Sequence, residues 1–123
     1  MLDQVKGGLI VSCQALENEP LHSSFIMGRM ARAAAEGGAV GIRANTAADI
    51  NEIAQNTDLP IIGIVKRDYE GSPIYITPTL REIEELAGTG CAMIAFDATD
   101  RPRYQGETLG DFFQKARAAA PGK

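Results

Sequence analysis

Four times along this chain an apolar run ends on a polar side chain and is followed by a stretch with helical spacing. The runs occupy residues 7–14, 39–45, 60–68 and 91–99. A strand covered on both faces reads as a continuous apolar run, whereas a strand with one wet face alternates, so these four read as buried parallel strands. Their separation of roughly 23 to 31 residues suits a strand, a crossover helix and two short loops, and such repetition implies one parallel sheet with right-handed crossovers.

The helical stretches carry their own punctuation. From Ser23 the apolar positions Ile26, Met30, Ala33 and Ala34 recur at helical spacing, and Gly37-Gly38 stops the helix. Thr46-Ala47-Ala48-Asp49 offers a second start with an acidic residue in the first turn, and Ile50, Ile53 and Ala54 form its expected buried side. Thr79-Leu80-Arg81-Glu82 has the form of a capping box and precedes Ile83, Leu86 and Ala87. In the last stretch Leu109, Phe112, Phe113, Ala116 and Ala120 trace a stripe that stops at Pro121-Gly122.

Composition narrows the function classes. With 123 residues, nearly half of them hydrophobic, the chain has the length of one domain, residues 1–123, with a real core. A formal net charge of -4 with both signs interspersed leaves no basic face for nucleic acid and no polybasic membrane patch. The apolar runs fall short of the roughly 18 residues a membrane span needs, and Met1-Leu2-Asp3-Gln4 lacks the basic start of a signal peptide, so a cytoplasmic location is expected. Cys13 and Cys91 lie inside apolar runs and read as buried, reduced thiols. His22, the one histidine, has no second histidine or cysteine at ligand spacing, so neither a metal nor any other cofactor is expected.

Ligands of parallel sheets bind at the carboxyl ends of the strands. There stand Gln14, Arg43, Lys66 and Asp97, one per strand, and they are expected to face one shared region. Lys66 follows Pro60-Ile61-Ile62-Gly63-Ile64-Val65, where rigid backbone near a cavity can make an amine a base. The plain alternative for it is a solvated loop lysine. For Arg43 the alternative is a structural ion pair, for Gln14 a loop hydrogen bond, and for Asp97 an orienting or helix-end role. The segment from Asp68 to Pro78 is long for a connection in such a unit and is a candidate wall of a substrate pocket.

Five segments taken in order carry a family likeness. They are Ser12-Cys13-Gln14-Ala15-Leu16, Gly38-Ala39-Val40-Gly41-Ile42-Arg43-Ala44-Asn45, residues 60–69, Ile76-Thr77-Pro78-Thr79, and Ile94-Ala95-Phe96-Asp97-Ala98-Thr99. Together they resemble the N-acetylmannosamine-6-phosphate 2-epimerases. The resemblance implies an α/β fold of the (β/α)8 TIM-barrel type and interconversion of the 6-phosphates of N-acetylmannosamine and N-acetylglucosamine in sialic acid breakdown. It implies that Lys66 is the catalytic lysine and that Gln14 and Arg43 contact the sugar, with Asp97 in the pocket.

Epimerisation removes the proton on C2, beside an open-chain aldehyde, and returns one to the other face, so the site needs a base and a group to hold the enolate oxygen. Burial and the nearby charge of Arg43 would both favour the neutral, proton-accepting form of the amine.

Such a barrel takes roughly 250 residues and eight βα units, and four are present. The expectation is therefore an amino-terminal half-barrel, without counterparts of the family's catalytic glutamate and of its phosphate-cradling loops. It should pair with itself or with a missing carboxyl-terminal half. Three other readings compete with this one: a non-catalytic half-barrel that binds a sugar phosphate, an epimerase of a different sugar phosphate, and a purely structural assembly unit.

Overall fold

The computed structural model describes residues 1–123. A short helix α1 (Leu2–Val5) leads into β1 (Ile10–Cys13), α2 (Ser24–Glu36), β2 (Gly41–Asn45), α3 (Ala47–Asn56), β3 (Ile61–Ile64), α4 (Leu80–Ala87), β4 (Met93–Ile94) and α5 (Leu109–Ala119). A 3-10 turn, Tyr104–Gly106, precedes α5. The strands form one sheet in the order β1-β2-β3-β4, every pair parallel, as the alternating pattern requires. They are shorter than the apolar runs that announced them, because each run also includes the turn into or out of its strand. No helix is long and apolar enough to cross a membrane.

Helix starts follow the side chains that satisfy their free amides. Ser23, Thr46 and Thr108 each accept from a first-turn backbone amide, those of Ile26, Asp49 and Asp111. At α4 the Glu82 carboxylate accepts from the Thr79 N–H at 2.8 Å and from the Thr79 hydroxyl at 2.7 Å. Gly37 and Gly88 stand at the C-caps of α2 and α4.

The main core lies between the sheet and α2, α3 and α4. It joins Cys13, Ala15, Ile42, Ala44, Ile61 and Val65 of the strands and their ends to Met27, Ala31, Ile50, Ile53 and Leu86 of the helices. Burial of each large aliphatic chain here contributes about 1.5–3 kcal/mol. A second cluster packs Ile83 of α4 on Phe112, Ala116 and Ala120 at α5, with Ile94 and Phe96 beneath. Both cysteines are free and buried, and burial pushes the Cys13 thiol above its ordinary range.

Three helical stripes differ from their expected centres. In α2 the buried positions are Met27, Gly28 and Ala31, while Ile26, Met30 and Ala34 are only half-buried. In α3 Ala54 is exposed and Asp49 is buried instead, because the Ser24 hydroxyl donates to its carboxylate at 2.6 Å and ties α2 to α3. In α5 Phe113 is 50% exposed and Leu109 lies at the surface as well, so the stripe narrows to Phe112, Ala116 and Ala120. The Phe113 ring lies 6.3 Å from that of Phe96, centroid to centroid, at a tilt of 52°.

Gly63 explains how the helices reach β3. A Cβ there would lie 2.9 Å from Ile50 Cδ1, 3.0 Å from Leu86 Cδ2 and 3.2 Å from Cys91 Sγ, all buried atoms with little room to yield. Gly63→Ala is expected to destabilise the fold by about 1–3 kcal/mol through overpacking, read as a lower urea midpoint at unchanged slope.

Candidate active site

Side chains alternate across a strand, so register decides which residues share a face. Ser12 pairs with Arg43, Arg43 with Ile62 and Ile62 with Met93, which makes one row across the sheet. Steps of two along each strand from that row reach Gln14, Lys66 and Asp97. The intervening residues confirm the alternation past the strand ends, since Ala15, Val65 and Phe96 all pack toward the helices. Gln14, Arg43, Lys66 and Asp97 therefore stand on the face turned away from α2, α3, α4 and α5, where Ser12 is exposed and Ile62 and Met93 are half-buried, and where only Val5 of α1 approaches, at Gly41.

They do not stand at one height. Arg43 occupies the middle of β2, level with Ile62, and Ile64 lies between it and Lys66 on that face of the third strand. It sits on the floor of the face rather than at the rim expected of it. Arg43 has no ion-pair partner, and neither has Lys66. Gln14 donates its Nε2–H to Ser12 Oγ at 2.9 Å, and its Oε1 is buried with no partner, leaving an acceptor free.

Asp97 is engaged by its own loop. Its Oδ1 accepts from the Thr99 N–H at 2.8 Å, its Oδ2 pairs with the Arg101 guanidinium, and its backbone carbonyl accepts from Arg103 Nη1. Burial pushes this carboxyl up, but the Thr99 and Arg101 contacts outweigh it and hold the group below the usual carboxylate range.

Lys66 lines two adjoining hollows. One, of about 380 Å³, is completed by Leu16, Arg67, Asp68 and Tyr75. The other, of about 370 Å³, has Asn45, Thr46 and His22 among its walls. Gln14, Arg43 and Asp97 line neither. The long segment after β3 thus contributes Asp68 and Tyr75 to a wall beside the amine.

The backbone at Lys66 is held by a side chain that stands in for a strand. Beyond the bond from the Thr46 N–H to the Ile64 carbonyl, the next rung of the β2–β3 ladder would run from the Lys66 N–H to the Thr46 carbonyl. That carbonyl has turned away at φ 78° and accepts from Ile50 as the first turn of α3. Asn45 Oδ1 takes its place and accepts from the Lys66 N–H at 2.8 Å.

The turn after Lys66 is fixed by charge. Arg67 Nη1 donates to Glu82 at 2.7 Å and to Glu85 at 2.9 Å, and the Tyr69 hydroxyl donates to Glu82 at 2.8 Å. Glu85 first, and Glu82 with it, holds the Arg67 guanidinium above its ordinary range against the burial that would lower it. Asn45 lay inside a segment already singled out for the likeness, and its position next to Arg43-Ala44 was the only local signal of its role. The Arg67–Glu82 pairing had none, because neither periodicity nor capping rules join a strand end to a distant helix.

Comparison with known proteins settles the family. The family model described as "NanE: Putative N-acetylmannosamine-6-phosphate epimerase" matches residues 27–120. This chain belongs to the N-acetylmannosamine-6-phosphate epimerase family. A relative from Clostridioides difficile (strain 630), named "Putative N-acetylmannosamine-6-phosphate 2-epimerase", is 67% identical over 114 residues, which are 93% of this chain and 51% of the relative. One of the same name from Enterobacter sp. (strain 638) is 60% identical over 121 residues, 98% of this chain and 52% of its own length.

The solved structure of the N-acetylmannosamine-6-phosphate 2-epimerase from Clostridium perfringens superposes with a TM-score of 0.92 at 61% identity, covering 96% of this chain and 52% of that one. The chain spans about half the length of the curated relatives it matches. Its four βα units are half of a TIM-type barrel.

Proposed function

We propose that this chain carries the proton-transfer half of an N-acetylmannosamine-6-phosphate 2-epimerase site, with Lys66 as the base. The neutral amine takes the proton from C2 of the open-chain sugar, the C2–H electron pair moves into the enolate, and an acid of the other half or a solvent water returns a proton to C2 on the opposite face to give the other epimer, while the Lys66 ammonium gives its proton up to solvent. Gln14 and Arg43 hold the sugar, the guanidinium lying against developing negative charge. Asp97 stands on the same face and orders the loop after β4 through Thr99 and Arg101.

The observation that carries this reading is the amine of Lys66, without a partner and flanked by two hollows, on the same face of the sheet as Gln14 and Arg43. The rest of the site, including the grip on the 6-phosphate, comes from a carboxyl-terminal half or from a second copy of this chain. The reaction runs in the cytoplasm.

The test is isotope exchange. The chain, alone and mixed with the carboxyl-terminal half of a relative, is incubated with N-acetylmannosamine-6-phosphate in heavy water and C2 is followed by proton NMR. Loss of the C2 proton signal with appearance of the second epimer is expected in the mixture. Absence of label at C2 in both arrangements overturns the catalytic reading and leaves a binding module.

A further inference from the structure

We propose that Thr77 is a positioning residue for Lys66, an inference that rests on the proposed role of Lys66 as the base. The β3–β4 ladder sets three residues of β4 against two of β3, the Ala92 N–H donating to the Ile61 carbonyl at 2.9 Å and the Ala95 N–H to the Gly63 carbonyl at 3.0 Å. Its next rung would run from the Val65 N–H to the Ala95 carbonyl. The Thr77 hydroxyl is inserted there instead. It accepts from the Val65 N–H at 3.2 Å and donates to the Ala95 carbonyl at 2.7 Å, while the Thr77 N–H donates to the Val65 carbonyl at 2.7 Å. A side chain from the returning loop thus wedges β4 away from β3 beside Lys66 and still satisfies both strands.

The backbone bears a cost for this. Thr77 has φ 48°, which both its β-branched side chain and the following Pro78 disfavour. Strain of this kind, of order 1–3 kcal/mol, persists where the surroundings over-determine it and clusters at functional sites. Thr77 is fully buried, so it does not reach the substrate and acts only through what it holds.

The peptide that enters Lys66 is held on both sides, its N–H by Asn45 Oδ1 and its Val65 carbonyl by the Thr77 N–H, and the Thr77 hydroxyl holds the peptide before it through the Val65 N–H. The direction in which the lysine stem leaves the strand is set by that pair, and a base displaced by about 1 Å can lose on the order of a hundredfold in rate.

The test compares Thr77→Val, which keeps the shape and removes the hydroxyl, with Thr77→Ser, which keeps the hydroxyl. In the complemented exchange assay Thr77→Val is expected to lower kcat by about thirtyfold with KM within about threefold, and Thr77→Ser to stay within about fivefold of the parent. Ile53→Val, a core change away from the site, controls for stability alone and should leave kcat unchanged.

A second readout does not need turnover: pyridoxal 5′-phosphate followed by borohydride labels accessible lysines, and peptide mapping gives Lys66 relative to Lys6. Thr77→Val should change that ratio at least about fivefold and Thr77→Ser should restore it. If the parent shows no exchange, the proposed function fails and the labelling ratio alone decides the positioning role. Unchanged kcat and unchanged labelling in Thr77→Val overturn the proposal. Should Thr77→Val not fold, a kcat loss in Thr77→Ser of tenfold or more overturns it, because the hydroxyl would then not suffice.

Discussion

Lys66→Ala is expected to abolish deuterium exchange at C2, a loss of about a thousandfold, with the circular dichroism and melting of the chain unchanged. General bases contribute about 10²–10⁴ in rate, and no other amine lines the two hollows to replace this one. The fold should tolerate the change. Only the backbone of Lys66 is bonded, through its N–H to Asn45, and alanine keeps that N–H. Surface truncations of this kind usually stay within about 0.5 kcal/mol of the parent. Lys66→Arg separates charge from chemistry, since an arginine keeps the cation and cannot give up its proton in this pH range. It should be as inactive as the alanine variant. Exchange that survives in either variant would move the base elsewhere.

Glu82→Ala is expected to cost about 3–5 kcal/mol, the usual loss when one partner of a buried ion pair is removed. Glu82 is fully buried at the start of α4 and accepts from Arg67, Tyr69 and both donors of Thr79, so alanine takes the acceptor from the Tyr69 hydroxyl and both Thr79 donors and leaves Arg67 with Glu85 alone. Much of a small domain's total stability would go with it.

The same carboxylate makes the fold acid-sensitive. Burial pushes Glu82 up, but the bonds from Thr79, Tyr69 and Arg67 prevail and hold it below the ordinary glutamate value. A group depressed in the folded state binds protons more readily when unfolded. Its stabilisation is complete above the unfolded value near 4.3 and disappears as pH falls through the lower, folded value. Asp97 adds to this with the same sign. Urea midpoints measured between pH 7 and pH 3 should fall below about pH 4.5 in the parent and should fall less in Glu82→Gln.

The four strands, their parallel sense and the face shared by Gln14, Arg43, Lys66 and Asp97 were legible because buried parallel strands leave unbroken apolar runs and because alternation is strict. Height along the strand was not. Arg43 read as a rim residue since a charge normally closes an apolar run, yet Ala44 and Asn45 carry the strand on past it. Phe113 read as core because aromatic residues at helical spacing usually are, while its exposure depends on what packs against α5, and that partner is not encoded in the helix itself. Asn45 and Thr77 escaped for a different reason. Each replaces a missing backbone partner, and which rung of a ladder goes missing is decided by where a neighbouring chain turns away, at Thr46 and at Ala95, not by the residue that fills the gap.

The order of strands in space is their order in the chain. Each new strand docks on the edge left by the one before it, so every unit that emerges during synthesis finds its template already made. Loop closure then never spans more than one crossover, which keeps its entropic cost low and lets assembly proceed from the amino terminus without waiting for residues still to be translated.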